Sequence, residues 1–297
     1  MITVFGSTNL DQIGTVTRLP KPGETVAGGT FSMAPGGKGA NQALAARRAG
    51  AEVLHVSAVG DDAFADLATE LLRDGGVDLS QLRRAEAATG IAMIFVDAAG
   101  ENVIAILPGA NGTVSAEDAT RGLAKLTSAD TLLVQQEVPQ AATRKALEIA
   151  REKGARSILN TAPFLPDTAR LAPMADIVVA NETEFSLLTG RPIDQLDMAM
   201  QDWVNQTGRT IVVTLGPEGA RARTPDGPIS VAAHKVKPVD TVGAGDTFCG
   251  YLAAGLDAGY SLEAALRRAA VAGSLACLKP GAQPAIPKKA DVDAIAS

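Results

Sequence analysis

From Ser115 onward the sequence alternates short apolar runs with helix-length segments, and this alternation restricts the fold more than any other feature. It predicts a helix to about Leu126, strand 131–135, helix 140–153, strand 156–160, strand 176–180, helix 182–189, helix 194–206 and strand 210–214. Strands that recur between helices are joined by crossovers, so they lie parallel, and a parallel sheet buries both faces under helices. A hairpin over roughly 219–233 and two Ala-rich helices, 244–258 and 261–278, complete that core.

The N-terminal part reads differently. Ile2-Thr-Val-Phe5 is a strand ending in a polar turn, Gly6-Ser-Thr-Asn-Leu-Asp11, and a helix runs from about Gly39 to Arg48 before Gly50. Glu52 to Val59 is a strand, Asp62 to Arg73 a helix stopped by Gly75-Gly76, and Gly90 to Ile106 a hairpin turning at Asp97-Ala-Ala-Gly100. The β-only pieces at about 13–35 and 89–107 break the alternation and are assigned to a small separate sheet. Ligands of open α/β sheets bind outside the carboxyl ends of the strands. A small sheet above that edge makes a lid, and residues 1–297 form one α/β domain with a central, mostly parallel sheet flanked by helices.

With 46% hydrophobic and 20% charged residues, the chain has the composition of a globular protein. Its net charge of −6, with no basic block, lacks the footprint of a nucleic-acid binder. No apolar run reaches the roughly 18 residues of a membrane span, and the first ten residues lack a signal-peptide pattern. Two cysteines, Cys249 and Cys277, make no disulfide framework, which points to the cytoplasm. The two histidines, His55 and His234, sit in strand-like stretches and read as structural or surface residues. Carboxylates must therefore carry any proton chemistry.

The segment Asp240-Thr-Val-Gly-Ala-Gly-Asp246-Thr-Phe enters a helix whose apolar positions Phe248, Leu252 and Leu256 recur every four residues. Gly243, Ala244 and Gly245 leave successive backbone N–H groups bare at a helix N-terminus, a setting that favours an anion such as a transferring phosphoryl group. Asp246 is placed to accept a proton from an attacking alcohol. The alternative is that Asp246 only complements the helix dipole. A second glycine turn, Pro35-Gly-Gly-Lys-Gly-Ala-Asn-Gln42, lacks the Ser or Thr that a P-loop needs after its Lys. Its glycines let backbone approach a ligand, while Lys38, Asn41 and Gln42 offer donors to hydroxyl groups; a plain turn before a helix is the other reading. Asn9, Asp11 and Glu137 add polar groups at the same edge. Asn181-Glu-Thr-Glu184 has the form of a capping box, and Asn181 and Glu184 also suit Mg²⁺ held through water.

These residues carry a resemblance. Gly36-Gly-Lys-Gly-Ala-Asn-Gln-Ala43 and Asp240-Thr-Val-Gly-Ala-Gly-Asp-Thr-Phe248 match the two signatures of the ribokinase-like (PfkB) family of carbohydrate kinases. Gly6-Ser-Thr-Asn-Leu-Asp11, Gly109-Ala-Asn111, Asn181-Glu-Thr-Glu184, Thr214-Leu-Gly216 and Gly281-Ala-Gln-Pro284 follow in the family's order, so the likeness spans the chain. It implies ATP-dependent phosphorylation of D-ribose on O5, with Asp246 as base and the backbone from Gly243 through Ala244 and Gly245 to Asp246 as anion hole. It also implies ribose contacts at Asn9, Asp11, Gly37, Lys38, Asn41 and Glu137. Nucleotide contacts are implied at Asn181 and at Thr214, Leu215, Gly216, Pro217, Glu218 and Gly219, with Gly245 beside them. K⁺ activation through the carbonyls of Asp240, Val242, Ala276, Lys279 and Gly281 is implied as well, as is a homodimer formed through the lid.

The chain departs from the family's pattern in three places. Ala285 stands where relatives often offer a Ser oxygen to the cation, Ala270 where a His or Asn often lies beside adenine, and Thr161 where Pro is usual. The alternatives are a family member acting on deoxyribose, a ketohexose or a nucleoside, or a non-catalytic sugar-binding protein. The last would be expected to have lost Asp246 or its glycines.

Overall fold

The computed structural model describes residues 1–296. The chain begins β1 (Ile2–Phe5), β2 (Asn9–Val16), β3 (Gly28–Gly36), α1 (Lys38–Arg48), β4 (Val53–Gly60), α2 (Ala63–Asp74), β5 (Leu82–Ala85), β6 (Gly90–Val96) and β7 (Asn102–Leu107). It continues α3 (Ala116–Gly122), β8 (Thr131–Val134), α4 (Gln140–Lys153), β9 (Arg156–Asn160), α5 (Thr168–Leu171), β10 (Ile177–Asn181), α6 (Glu182–Thr189) and α7 (Leu196–Thr207). The last part is β11 (Thr210–Thr214), β12 (Ala220–Thr224), β13 (Gly227–Val231), α8 (Ala244–Asp257), α9 (Leu262–Ala276) and α10 (Lys289–Ala296).

Nine strands form the larger sheet in the order β13-β12-β11-β10-β9-β8-β1-β4-β5. All its pairings are parallel except β11–β12 and β12–β13, the predicted hairpin at one edge. Alternation within each strand sends side chains to opposite faces. Ile2, Val4 and Leu133 join a core with α1, α8 and α9, whereas Phe5, Leu132 and Val134 join a second core with α3, α4 and α7. Both faces are therefore covered. No helix of the described residues is long and apolar enough to cross a membrane.

From β1 the chain moves outward to β4 and β5, then returns to add β8 on β1's other side. The order reverses there, so the carboxyl ends of β1 and β8 flank the switch point where open α/β sheets bind ligands. Residues 6–8 and 135–137 sit at that point.

The smaller sheet has the order β3-β2-β6-β7, with β2 and β6 parallel and the outer pairs antiparallel. It differs from the sequence expectation at its root. Asn9 to Asp11 are not part of a turn but open β2, with Asn9 paired to both Gly36 and Gly90. The turn is confined to residues 6–8, and β2 leads straight from the switch point into the smaller sheet. The short edge strand β5 and the terminal α10 were not foreseen. His55 lies in β4 as expected and is fully buried, but β13 ends at Val231, so His234 lies in an extended segment and is exposed.

Candidate active site

The first turn of α8 carries Asp246, which is 7% exposed. Its Oδ2 accepts a hydrogen bond from Asn41 Nδ2 and its Oδ1 one from Gln42 Nε2, both at 2.9 Å. Both donors lie on α1, whose packing against α8 is set by small residues: a Cβ on Gly250 would come within 2.5 Å of Ala45 Cβ. Gln42 departs from its sequence reading as a hydroxyl donor. It is fully buried, and its amide donates to Asp246 and to Asn160 Oδ1 (3.1 Å) while its Oε1 accepts from Gln135 Nε2 (2.6 Å). It holds the carboxylate, and no hydrogen of its amide remains for a ligand. Asn41 Oδ1, by contrast, is buried and without a partner among the described residues.

Gly243 caps α8 at φ 76, a left-handed conformation in which a Cβ would also meet Ala282 Cβ at 2.8 Å. The N–H groups of Gly243, Gly245 and Asp246 make no hydrogen bond to the described residues, and a Cβ on Gly245 would meet nothing within 4 Å. Ala244 is the exception, since its N–H turns to Thr241 O at 3.3 Å. Three donors are thus left open, with clear space beside Gly245.

At the switch point, Glu137 Oε2 accepts from Ser7 Oγ at 2.6 Å and from the Lys38 N–H at 2.9 Å. This ties the carboxyl ends of β1 and β8 to the start of α1, where a carboxylate also complements the helix dipole. Ser7 was not singled out in the sequence, although its motif was. Gly37, at φ 89, lets the chain turn into α1 with Asn9 N only 2.7 Å from where a Cβ would stand. Asp11 lies over Gly36, whose Cβ would come within 2.3 Å of Asp11 Oδ2. Burial, and then the charges of Glu137 and Asp246, push the Asp11 carboxyl up to about 7, with Lys38 opposing. The Asp246 charge, ahead of those of Glu137 and Glu184, outweighs burial and holds the Lys38 ammonium above its ordinary range. Asn9, Asp11, Gly37, Lys38, Asn41, Glu137 and Asp246 are therefore gathered where the two sheets meet.

On the other side of Gly245 opens a cavity of about 600 Å³. Its walls are mostly apolar, including Val236, Pro238, Phe248 and Ala270, with Thr214, Gly216, Pro217 and Gly219 along one edge. Leu215 and Glu218 depart from the expected set, for they line a separate hollow with Glu182 and Asp197. His234 and Cys277, which sequence reasoning left aside, line the main cavity. Asn181 and Glu184 form the predicted capping box, Glu184 N–H to Asn181 Oδ1 at 2.8 Å and Asn181 N–H to Glu184 Oε2 at 3.1 Å. Thr161 Oγ1 also donates to that oxygen at 2.8 Å, a use for the residue that stands where Pro is usual.

Below the cavity, Asp240 joins two loops, with Oδ1 accepting from the Val242 N–H and Oδ2 from the Gly281 N–H. The carbonyls of Asp240, Val242, Lys279 and Gly281 accept no hydrogen bond from the described residues, and Ala276 ends α9 beside them. Ala285 is buried nearby and brings no side-chain oxygen.

The arrangement is a buried carboxylate beside bare amides, with a polar cradle on one side and an apolar cavity on the other. Comparisons with known proteins identify its family. A family model described as pfkB family carbohydrate kinase matches residues 1–289. The chain is 37% identical over 301 residues to a ribokinase of Staphylococcus aureus, covering 99% of both, and 36% identical over 291 residues to a deoxyribokinase of Salmonella typhi, covering 96% of this chain and 95% of the other. Its fold superposes on the ribokinase of Arabidopsis thaliana complexed with ribose and ATP with a TM-score of 0.89, at 31% identity over 100% of this chain and 98% of that one. Together with the two glycine-rich helix starts, these matches show that the chain belongs to the pfkB family of carbohydrate kinases.

Proposed function

We propose that the protein transfers the γ-phosphoryl group of ATP to O5 of D-ribose, giving D-ribose 5-phosphate and ADP. The observation that carries this reading is the place of Asp246, between a cradle of hydroxyl-binding groups and an apolar cavity, next to three unpaired amides. Asp246 takes the proton of the attacking hydroxyl as its oxygen bonds to phosphorus and the bond to ADP breaks. The amides of Gly243, Gly245 and Asp246 stabilise the negative oxygens in transit. Asn9, Asp11, Lys38, Asn41 and Glu137 hold the sugar, with Gly37 giving it room. The orphaned Asn41 Oδ1 supports this, since a buried unpaired acceptor costs about 1–3 kcal/mol and a sugar hydroxyl relieves it.

Thr214, Gly216, Pro217 and Gly219 border the nucleotide. Asn181 and Glu184 fit Mg²⁺ held through water, because Glu184 Oε1 is free of the capping box and Mg²⁺ typically keeps several waters. The cation, when bound, offsets phosphate charge. K⁺ fits the free carbonyls of Asp240, Val242, Lys279 and Gly281 with Ala276, and Ala285 leaves one position of that site to water. The smaller sheet acts as a lid that excludes water. Its exposed Phe31, Val103, Ile104, Ile106 and Leu107 suit pairing with the lid of a second copy. The two unpaired cysteines suit the reducing cytoplasm.

A second reading, phosphorylation of 2-deoxyribose, is favoured by the 36% identity to a deoxyribokinase. ADP release with ribose, 2-deoxyribose, ketohexoses and nucleosides, with and without K⁺, tests both. The highest kcat/KM on ribose is expected. A higher value on 2-deoxyribose would replace the first reading with the second, and no release with any sugar would remove both.

A further inference from the structure

We infer that Asn111, in the Gly109-Ala-Asn111 turn, is a positioning residue that fixes the hydrogen-bonding polarity of Asn9 and thereby which sugar hydroxyls are accepted. The inference rests on the reading of Asn9 as a sugar contact. The two ends of an amide side chain are told apart only by what they bond to. Here backbone atoms decide. The Thr8 N–H donates to Asn111 Oδ1 at 2.9 Å, and Asn111 Nδ2 donates to the Thr8 carbonyl at 3.0 Å. The second hydrogen of Asn111 Nδ2 goes to Asn9 Oδ1 at 2.7 Å.

Both hydrogens of Asn111 Nδ2 are thus used, and the oxygen of Asn9 is drawn inward. Asn9 Nδ2 makes no hydrogen bond to the described residues, so an N–H pair is what Asn9 presents to a ligand. Gly90 allows the contact, since a Cβ there would stand 2.3 Å from Asn111 Nδ2 and 2.5 Å from Asn9 Oδ1. Gly109 brings the turn close enough, at φ 49 with the Ala88 carbonyl 2.2 Å from where its Cβ would be.

Thr8 itself is locked from below. His55 Nδ1 faces the Val4 carbonyl at 3.2 Å and so carries the proton, leaving Nε2 to accept from Thr8 Oγ1 at 2.9 Å. Thr8 Oγ1 in turn accepts from Ser57 Oγ at 2.9 Å. The direction of every bond from Val4 to Asn9 follows from these backbone anchors.

Asn9 and Asp11 are two residues apart on β2 and share a face of the sheet. A hydroxyl between them accepts from Asn9 and donates its proton to Asp11. A sugar without that hydroxyl leaves both groups unpaired.

The test compares ribose with its 2-deoxy and 3-deoxy analogues in wild type, Asn111→Asp, Asn9→Asp and Asn9→Ala. Asn111→Asp forces the Asn9 amide to turn and show its oxygen. Asn9→Asp keeps the Asn111 bond but replaces the outward donor by an acceptor, and it does not depend on the variant turn folding. Both are expected to lower kcat/KM for ribose about tenfold or more, chiefly through KM, and to leave one deoxy analogue nearly unchanged. Asn111→Asp lowering all three sugars by one factor, or Asn9→Asp matching wild type on ribose while Asn9→Ala loses ribose selectively, would overturn the role of Asn111 alone. Asn9→Ala with unaltered kinetics on every sugar would overturn the reading of Asn9 and this inference with it.

Discussion

The two halves of the active site are built on opposite principles. On the proposed sugar side the polar groups hold one another in place, with Asp246 held by two amides, Glu137 by Ser7 and the Lys38 N–H, and Asn9 by Asn111, while Asn41 Oδ1 stays open. On the proposed nucleotide side the cavity is walled by Val236, Pro238, Phe248 and Ala270 and edged by glycines. A pre-bonded polar cradle selects by donor and acceptor pattern, because a mismatch strands a buried group. An apolar cavity selects by shape, where one extra methylene is worth only about 1–3 kcal/mol. The cradle should therefore set catalysis and sugar choice, and the cavity only the affinity for nucleotide.

The largest effect that could break this contrast is at the base. Asp246→Asn should lower kcat by about 10²–10⁴-fold while ribose KM changes little, read from steady-state ADP release. Retention of most turnover would mean the cradle does not supply the base. A cavity substitution should behave in the other way: Ala270→Leu fills space beside the nucleotide and is expected to raise the KM for ATP by about tenfold with ribose KM unchanged. Equal shifts in both would show that the two halves are not separable.

Asn181→Ala should cost about 1 kcal/mol of stability through the lost cap, seen as a thermal midpoint lowered by about 2–4 °C. The Mg²⁺ concentration for half-maximal rate should rise as well, and a lowered midpoint with an unchanged Mg²⁺ requirement would reduce Asn181 to a cap.

A separate expectation concerns the pH dependence of the unliganded protein. The Asp11 carboxyl is raised to about 7 from 3.8, so the folded state binds a proton that the unfolded chain has released. Its contribution to stability is full below the unfolded value and is lost as pH rises through about 7. Thermal midpoints of wild type should fall relative to Asp11→Asn between pH 4 and 7, and parallel profiles would show that Asp11 is not in the crowded field described.

Much of this site could be read before any coordinates. The glycines at 37 and 243 announce turns that only positive φ permits, and both adopt it. The capping box at Asn181 and Glu184 is a four-residue pattern and formed as expected. The root of the smaller sheet was not legible, because Gly6-Ser-Thr-Asn has turn chemistry and Asn-Leu-Asp-Gln lacks the β-branched residues of a strand. What makes Asn9 to Asp11 a strand is pairing with Gly36 to Ala34 on one side and Gly90 to Ala92 on the other. Gln42 was misread for a related reason. Next to Asn41 on one helix, it also donates to Asp246, but its remaining amide atoms are taken by Asn160 and Gln135, which only the packed fold brings near.

By itself the sequence determined the alternation of strands and helices and the two glycine-opened helix starts, and it singled out Asp246 as the proposed base. Those depend on neighbours within a few residues, where period, backbone freedom and capping act. Tertiary structure decided which groups share a charge field and which end of each amide is bonded within the fold. The deciding bonds join Ser7 to Glu137, Thr8 to Asn111 and Gln42 to Asp246, across 130, 103 and 204 residues of chain. Hydrogen-bond polarity and burial are properties of the assembled site, and no local pattern encodes them.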